Sequence, residues 1–240
     1  MTALAFFSDV HGNLAALRAV LADIEARALT SAAYCLGDLV GYGPEPNGVI
    51  DLVRAVGIPS LLGNYDDGVA FDRGACGCYY PTTEARRIGE ASYTFTAAAV
   101  TPAHKAWLRE LPRELRLTVA GRRVLLVHGS PRRLNEYLLE ERDPRTFARI
   151  AAGVDADVLA FGHTHAFWYR RHDGVLFVNV GSAGRPKDGD PRAGYTIVRL
   201  DGDRVEAELV RVSYDVDETA RGVLAAGLPP ELAEGFRRGI

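Results

Sequence analysis

Residues 3–13, ALAFFSDVHGN, run directly into residues 14–28, LAALRAVLADIEARA. An apolar run ends in polar residues, and Leu14, Leu17, Val20, Leu21 and Ile24 then recur at helical spacing. The reading is strand, turn, helix, with Asn13 placed to accept an unpaired N–H of the first helical turn. A second unit repeats the plan: AAYCLG (32–37) as strand, DLVGYGPEP (38–46) as loop, a helix near 47–56 and a third strand near 59–62. This alternation predicts βαβ units, whose strand C-termini line up along one crevice.

From 66 to about 112 the pattern changes. A Gly/Cys/Tyr-rich stretch, DRGACGCYYP (72–81), precedes helical segments near 83–100 and 102–111, and the whole reads as an insertion over a site within one domain spanning 1–240. A hairpin around Ala120-Gly121 and a helix near 144–152 follow, leading into DVLAFGHTH (157–165). The remainder is mainly strands, 167–172, 175–182, 194–200 and 204–212, with Asp-Gly turns at Asp173-Gly174 and Asp201-Gly202, and about 25 closing residues that read as helical. The expected class is α/β (α+β), with two sheets packed face to face and helices outside.

A chain of 240 residues, 48% of them apolar, can bury a substantial core. A net charge of -3 provides no field that draws it to bulk nucleic acid or an anionic membrane. No apolar run approaches the roughly 20 residues of a membrane span, and the N-terminus lacks the basic start of a signal peptide. Three cysteines, Cys35, Cys76 and Cys78, are too few and oddly numbered for a disulfide framework. The expected compartment is therefore reducing and cytoplasmic.

Five apolar runs end in side chains that can bind a metal: Asp9 and His11 in FFSDVHGN, Asp38 in YCLGDLVGYG, Asn64 in LLGNYDDG, His128 in LLVHGSP, and His163 and His165 in LAFGHTH. Each alone has an ordinary reading. Asp38 fits a turn, Asn64 a left-handed turn residue, and His128 a satisfied histidine near the core. Together they supply two carboxylates, four imidazoles and one amide oxygen without a thiolate, a set suited to Mn, Fe, Zn or Co. Seven donors exceed the needs of one tetrahedral ion, so two ions sharing a carboxylate are expected. Such a pair activates a water and clamps the oxygens of a phosphoryl displacement.

The ordered set Asp9-x-His11, Gly37-Asp38, Gly63-Asn64, His128-Gly129-Ser130-Pro131 and Gly162-His163-Thr164-His165 resembles the calcineurin-like metallophosphoesterase superfamily, in particular its small bacterial and archaeal phosphodiesterases. The resemblance implies a four-layer α-β-β-α sandwich with two mixed sheets. It also implies one divalent ion held by Asp9, His11, Asp38 and His165, and a second by Asp38, Asn64, His128 and His163. Asp38 would be the bridge, and Asp38, Asn64 and His128 the catalytic residues. The implied reaction is phosphoester hydrolysis by metal-bound hydroxide, with manganese as the first choice and Fe, Zn, Ni, Co or Mg as others.

Many members of that superfamily read Gly-Asn-His-Asp where this chain has Tyr65. A phenol is a weaker proton donor than imidazolium at neutral pH, which favours diesters and phosphoanhydrides, such as nucleotides or dinucleoside polyphosphates, over monoesters of basic alcohols. The alternatives are a phosphoprotein or small-molecule phosphomonoesterase, or a non-catalytic metal-binding scaffold. Arg132, Arg185, Lys187 and Tyr65 are the candidate substrate contacts. The expected partner is a small phosphorylated compound, with self-association open. Tyr79 and Tyr80 can stack on a base or pack the insertion, and Asp66 and Asp67 can orient ligands or lie in a solvated turn.

Overall fold

The computed structural model describes residues 2–202 and 204–240. Its first sheet has the order β2-β1-β8-β9, built from β1 (Thr2–Phe7), β2 (Ala33–Cys35), β8 (Ala193–Asp201) and β9 (Arg204–Val212). The second has the order β3-β4-β5-β7-β6, from β3 (Glu114–Val119), β4 (Arg122–Val127), β5 (Val158–Phe161), β6 (Trp168–His172) and β7 (Val175–Asn179). Both are mixed: β1 runs parallel to β2 and antiparallel to β8, while β4, β5 and β7 are parallel and β3 and β6 close the edges antiparallel.

Period-two alternation explains why the sheets stack. Leu4 and Phe6 of β1, Val124 and Leu126 of β4, Val158 and Ala160 of β5, and Leu176 and Val178 of β7 meet in one core between the sheets. The intervening residues face outward onto helices. Ala5 and Phe7 pack under α1 (Leu14–Ala26), α2 (Pro46–Val56), α7 (Val216–Ala225) and α8 (Pro230–Arg238), through residues including Leu17, Val53, Val223 and Phe236. Leu125, Leu159 and Phe177 pack against Phe147 and Ile150 of α6 (Pro144–Gly153). The layers are therefore α-β-β-α. A one-residue slip of any central strand would exchange its two apolar faces, so each register is fixed from both sides.

Two expectations change. The strand near 59–62 is reduced to a single parallel bridge between Cys35 and Ser60. Beyond it the Leu62 N–H leaves the sheet and donates to the Pro112 carbonyl. And the stretch beginning at Asn64 is a helix, α3 (Asn64–Ala70), followed by α4 (Thr83–Ala99) and α5 (Pro102–Arg109). Among the described residues no helix is long and apolar enough to cross a membrane.

Candidate metal centre

Strand polarity delivers the side chains. The chain leaves β1 into Asp9 and His11, β2 into Asp38, the Ser60 bridge into Asn64, β4 into His128, and β5 into His163 and His165. All seven are buried. Asp9, His11, Asp38, His163 and His165 have left-handed backbones, with φ between 50° and 67°. Strain of that kind costs about 1–3 kcal/mol per residue and persists only where the surroundings enforce it. Here the Asp9 N–H donates to the Gly37 carbonyl, the His11 N–H to the Asp38 carbonyl, and the His163 N–H to Asp9 Oδ2. Asn64 is helical, so the left-handed turn that its sequence context allowed is not formed.

The donor atoms gather into two groups, Asp9 with His11 and His165, and Asp38 with His128 and His163; within each group they lie within 4.8 Å of one another. Asp38 Oδ2 stands between the groups, 3.8 Å from His11 Nε2 and 3.4 Å from His128 Nε2. Asn64 Oδ1 faces His128 Nε2 at 2.9 Å. Three imidazoles turn Nδ1 toward backbone carbonyls, His11 to Val40, His128 to Leu36 and His165 to Arg185, which directs each Nε2 inward. Asp9 Oδ1 and His163 Nε2 are buried with no hydrogen-bond partner. Buried polar atoms are nearly always paired, so two orphans facing the same clusters fit divalent cations.

The electrostatics agree. Burial pushes Asp9 up to about 7. Burial also lowers His11 to about 4 and His163 to about 3, and holds His165 well below its ordinary value, so these rings stay neutral with lone pairs free. Burial would lower His128 and raise Asp38, but their mutual attraction outweighs it. His128 rises to about 9 and Asp38 falls below the usual carboxylate range. The buried Asp38 carboxylate thus calls for positive charge beside it, which His128 supplies and a bound cation would take over.

The supporting residues come largely from α3. The Tyr65 N–H donates to Asp38 Oδ1 at 2.7 Å, leaving Oδ2 to the clusters. Asp66 is fully buried and accepts from the N–H groups of Leu39, Val40 and Gly63, which fixes the turn that carries Asp38. It is not a solvated turn residue. Asp67 is ion-paired with Arg73 and Arg113. Gly63 has no alternative, since a Cβ there would lie 2.1 Å from Asp38 Oδ1. Asn179 and Ser182, which the sequence reading passed over, also serve the site. Asn179 Nδ2 donates to the Gly162 carbonyl and Thr164 Oγ1, and Ser182 Oγ to the Asp9 carbonyl.

The candidate substrate contacts separate. Tyr65 is 0% exposed, its hydroxyl is 2.7 Å from Ser92 Oγ, and burial raises it well above its ordinary value. The side chain is therefore part of the core rather than a substrate contact. Its ring stands edge-on to His11. Arg132 is ion-paired with Glu136. Arg185 stacks on Tyr42, and its buried Nε has no partner. Lys187 is exposed as a residue; desolvation, and then the Arg185 charge, lower it to about 7.

Cys76 and Cys78, whose role the sequence left open, form a local disulfide across Gly77, with Cα atoms 5.4 Å apart. Counting cysteines tests for a framework that ties distant segments and says nothing about a local pair. The Asn64 amide donates to the Cys76 carbonyl and to Cys78 Sγ, so this segment lies over the centre and turns the amide oxygen inward.

Comparison with known proteins agrees with this geometry. A family model described as the calcineurin-like phosphoesterase superfamily domain matches residues 2–203. An uncharacterized protein of Methanocaldococcus jannaschii is 29% identical over 248 residues, covering 96% of each chain. A metallophosphoesterase from Sphaerobacter thermophilus of known crystal structure is 31% identical, with a TM-score of 0.76 over 100% of both chains. A hypothetical protein from Pyrococcus horikoshii OT3 has a TM-score of 0.85 at 21% identity, covering 100% of this chain and 99% of its own, and shares the fold.

Proposed function

The chain belongs to the calcineurin-like phosphoesterase superfamily, and on that footing we propose that it hydrolyses diester or anhydride bonds of small phosphorylated compounds, nucleotides among them. In this reading Asp9, His11, Asp38 and His165 hold one divalent ion and Asp38, Asn64, His128 and His163 the other, with manganese the first choice. Such ions, when bound, supply Lewis acidity toward the phosphoryl oxygens and make a coordinated water acidic enough to attack near neutral pH.

The chain's own part is positioning. The Tyr65 N–H and the turn braced by Asp66 hold Asp38, the Cys76 carbonyl holds the Asn64 amide, and three backbone carbonyls hold three imidazole rings. Arg185 and Lys187 lend positive charge beside the centre, favouring an anionic substrate.

The Tyr65 hydroxyl supports the choice of bond. It is committed to Ser92 inside the core, so position 65, where many members of the superfamily read histidine, provides no proton to a departing alkoxide. Phosphate, nucleotide and aryl oxide groups leave as stable anions and need none. The test is the rate of the manganese-loaded protein on bis(4-nitrophenyl) phosphate against serine phosphate. The expected preference is about a hundredfold or more, the lower end of what a general acid contributes. Comparable rates would contradict the reading.

A further inference from the structure

The reading above leaves unexplained a cluster of tyrosines beside the centre. Tyr42, Tyr79, Tyr80 and Tyr137 line a cavity of about 210 Å³ together with Arg185 and Lys187. The cavity adjoins the candidate ligands directly. The Tyr137 ring centroid is 4.1 Å from that of His163, the Tyr42 ring stands edge-on to His11 at 4.9 Å, and the Arg185 carbonyl accepts from His165.

Its chemistry differs from that of the opposite flank. There a larger cavity, about 530 Å³, is lined by Asn64, Arg73, Arg113, Arg132 and Arg133. Three of those arginines are matched by carboxylates, Arg73 and Arg113 by Asp67 and Arg132 by Glu136. On the tyrosine side no carboxylate pairs with Arg185 or Lys187 among the described residues, and Arg185 Nε is buried without a partner. Two basic side chains without carboxylate partners beside an aromatic slot call for an anion next to them and a flat, apolar-faced group along the rings.

We propose that this cavity is the subsite for a nucleoside monophosphate portion of the substrate, with the base among Tyr79, Tyr80 and Tyr137 and the phosphate beside Arg185 and Lys187. The volume supports a fragment rather than a whole ligand, since pockets that enclose drug-sized molecules run to roughly 300–1,000 Å³. Aromatic side chains stack on any base face, and stacking tolerates sequence differences among bases. Tyr79 is 73% exposed, so its ring is open to a ligand entering from solvent. Its backbone N–H donates to the Tyr137 hydroxyl, which joins the two walls of the slot.

This inference rests on the proposed phosphoesterase reading, but its test can be separated from it. Binding of AMP and of ribose 5-phosphate to the manganese-loaded protein is measured by calorimetry, alongside hydrolysis. Both ligands offer the same phosphate; only AMP offers a base. The expected result is AMP binding at least about tenfold tighter, the scale of one stacked base, and Tyr79→Ala removing most of that difference while ribose 5-phosphate is unaffected. Lys187→Ala should weaken both ligands alike. Tyr79 is exposed enough for the variant to fold, and Tyr137→Phe, which keeps the ring, should retain the AMP preference. Equal affinities, no binding of either ligand, or an AMP preference untouched by Tyr79→Ala would overturn the subsite. A protein that prefers AMP but hydrolyses no phosphate ester would retire the reaction and leave the subsite standing.

Discussion

The rim of strand ends and the segment that covers it, residues 72–80, are built by different means. In the rim, Asp9, His11 and Asp38 are tied by backbone hydrogen bonds between neighbouring strand ends, the His163 N–H is held by Asp9 Oδ2, and each imidazole tied to a carbonyl has a fixed direction. The covering segment has no regular structure beyond the end of α3. It is held by side chains: Asn64 to Cys76, Asn135 to the Gly77 carbonyl, Tyr93 to Gly74, and the Cys76–Cys78 bond. The rim is thus suited to holding metal in one geometry, and the cover to shaping what reaches it. Mutations in the two regions should therefore separate, the first acting on metal and reaction, the second on substrate preference.

The sharpest break is expected at Asp38→Asn. Removing one charge from the carboxylate between the two donor groups should lower hydrolysis by about a thousandfold or more and reduce bound metal by elemental analysis, while the urea-unfolding slope stays that of the native fold. Activity near that of the unaltered protein would place the chemistry elsewhere. Asp66→Ala comes next. It strands the N–H groups of Leu39, Val40 and Gly63, and leaving buried donors unsatisfied costs about 1–3 kcal/mol each. A stability loss of about 3 kcal/mol in urea titration is expected, with metal affinity lowered roughly 10- to 100-fold, as for other groups that orient metal ligands.

Tyr65→Phe distinguishes a core residue from a catalytic one. It deletes the hydroxyl that meets Ser92 but keeps the ring beside His11 and the N–H to Asp38. The expected cost is about 1 kcal/mol of stability, with the rate on an aryl diester within about twofold. A large fall in rate would restore the phenol to the reaction. The smallest effect belongs to the cover. Asn135→Ala removes an exposed hydrogen bond to Gly77 and should change stability by no more than about 0.5 kcal/mol. Any consequence is expected in the KM for a nucleotide substrate rather than in bound metal.

The rim was legible because its signals are local. Apolar runs ending in Asp, His or Asn mark strand ends, and period-two alternation in β1, β4, β5 and β7 marks both sheet faces. The cover was less so. NYDDGVA carries little helical periodicity and a glycine, and α3 forms because Asp66 reaches back to the Gly63 N–H and the whole segment is buried. The 59–62 strand ended early because the Leu62 N–H found Pro112, which is remote in sequence. The tyrosine slot joins Tyr42, Tyr80, Tyr137 and Arg185, which lie on four separate stretches of chain, so no sequence window contains it.

Titration of the metal-stripped protein with manganese, followed by calorimetry, counts the ions that the rim accepts. Two ions per chain are expected, falling to one or none in His128→Ala, whose ring faces both Asp38 and Asn64. A single ion per chain in the unaltered protein, or a stoichiometry indifferent to His128, would contradict the dinuclear centre.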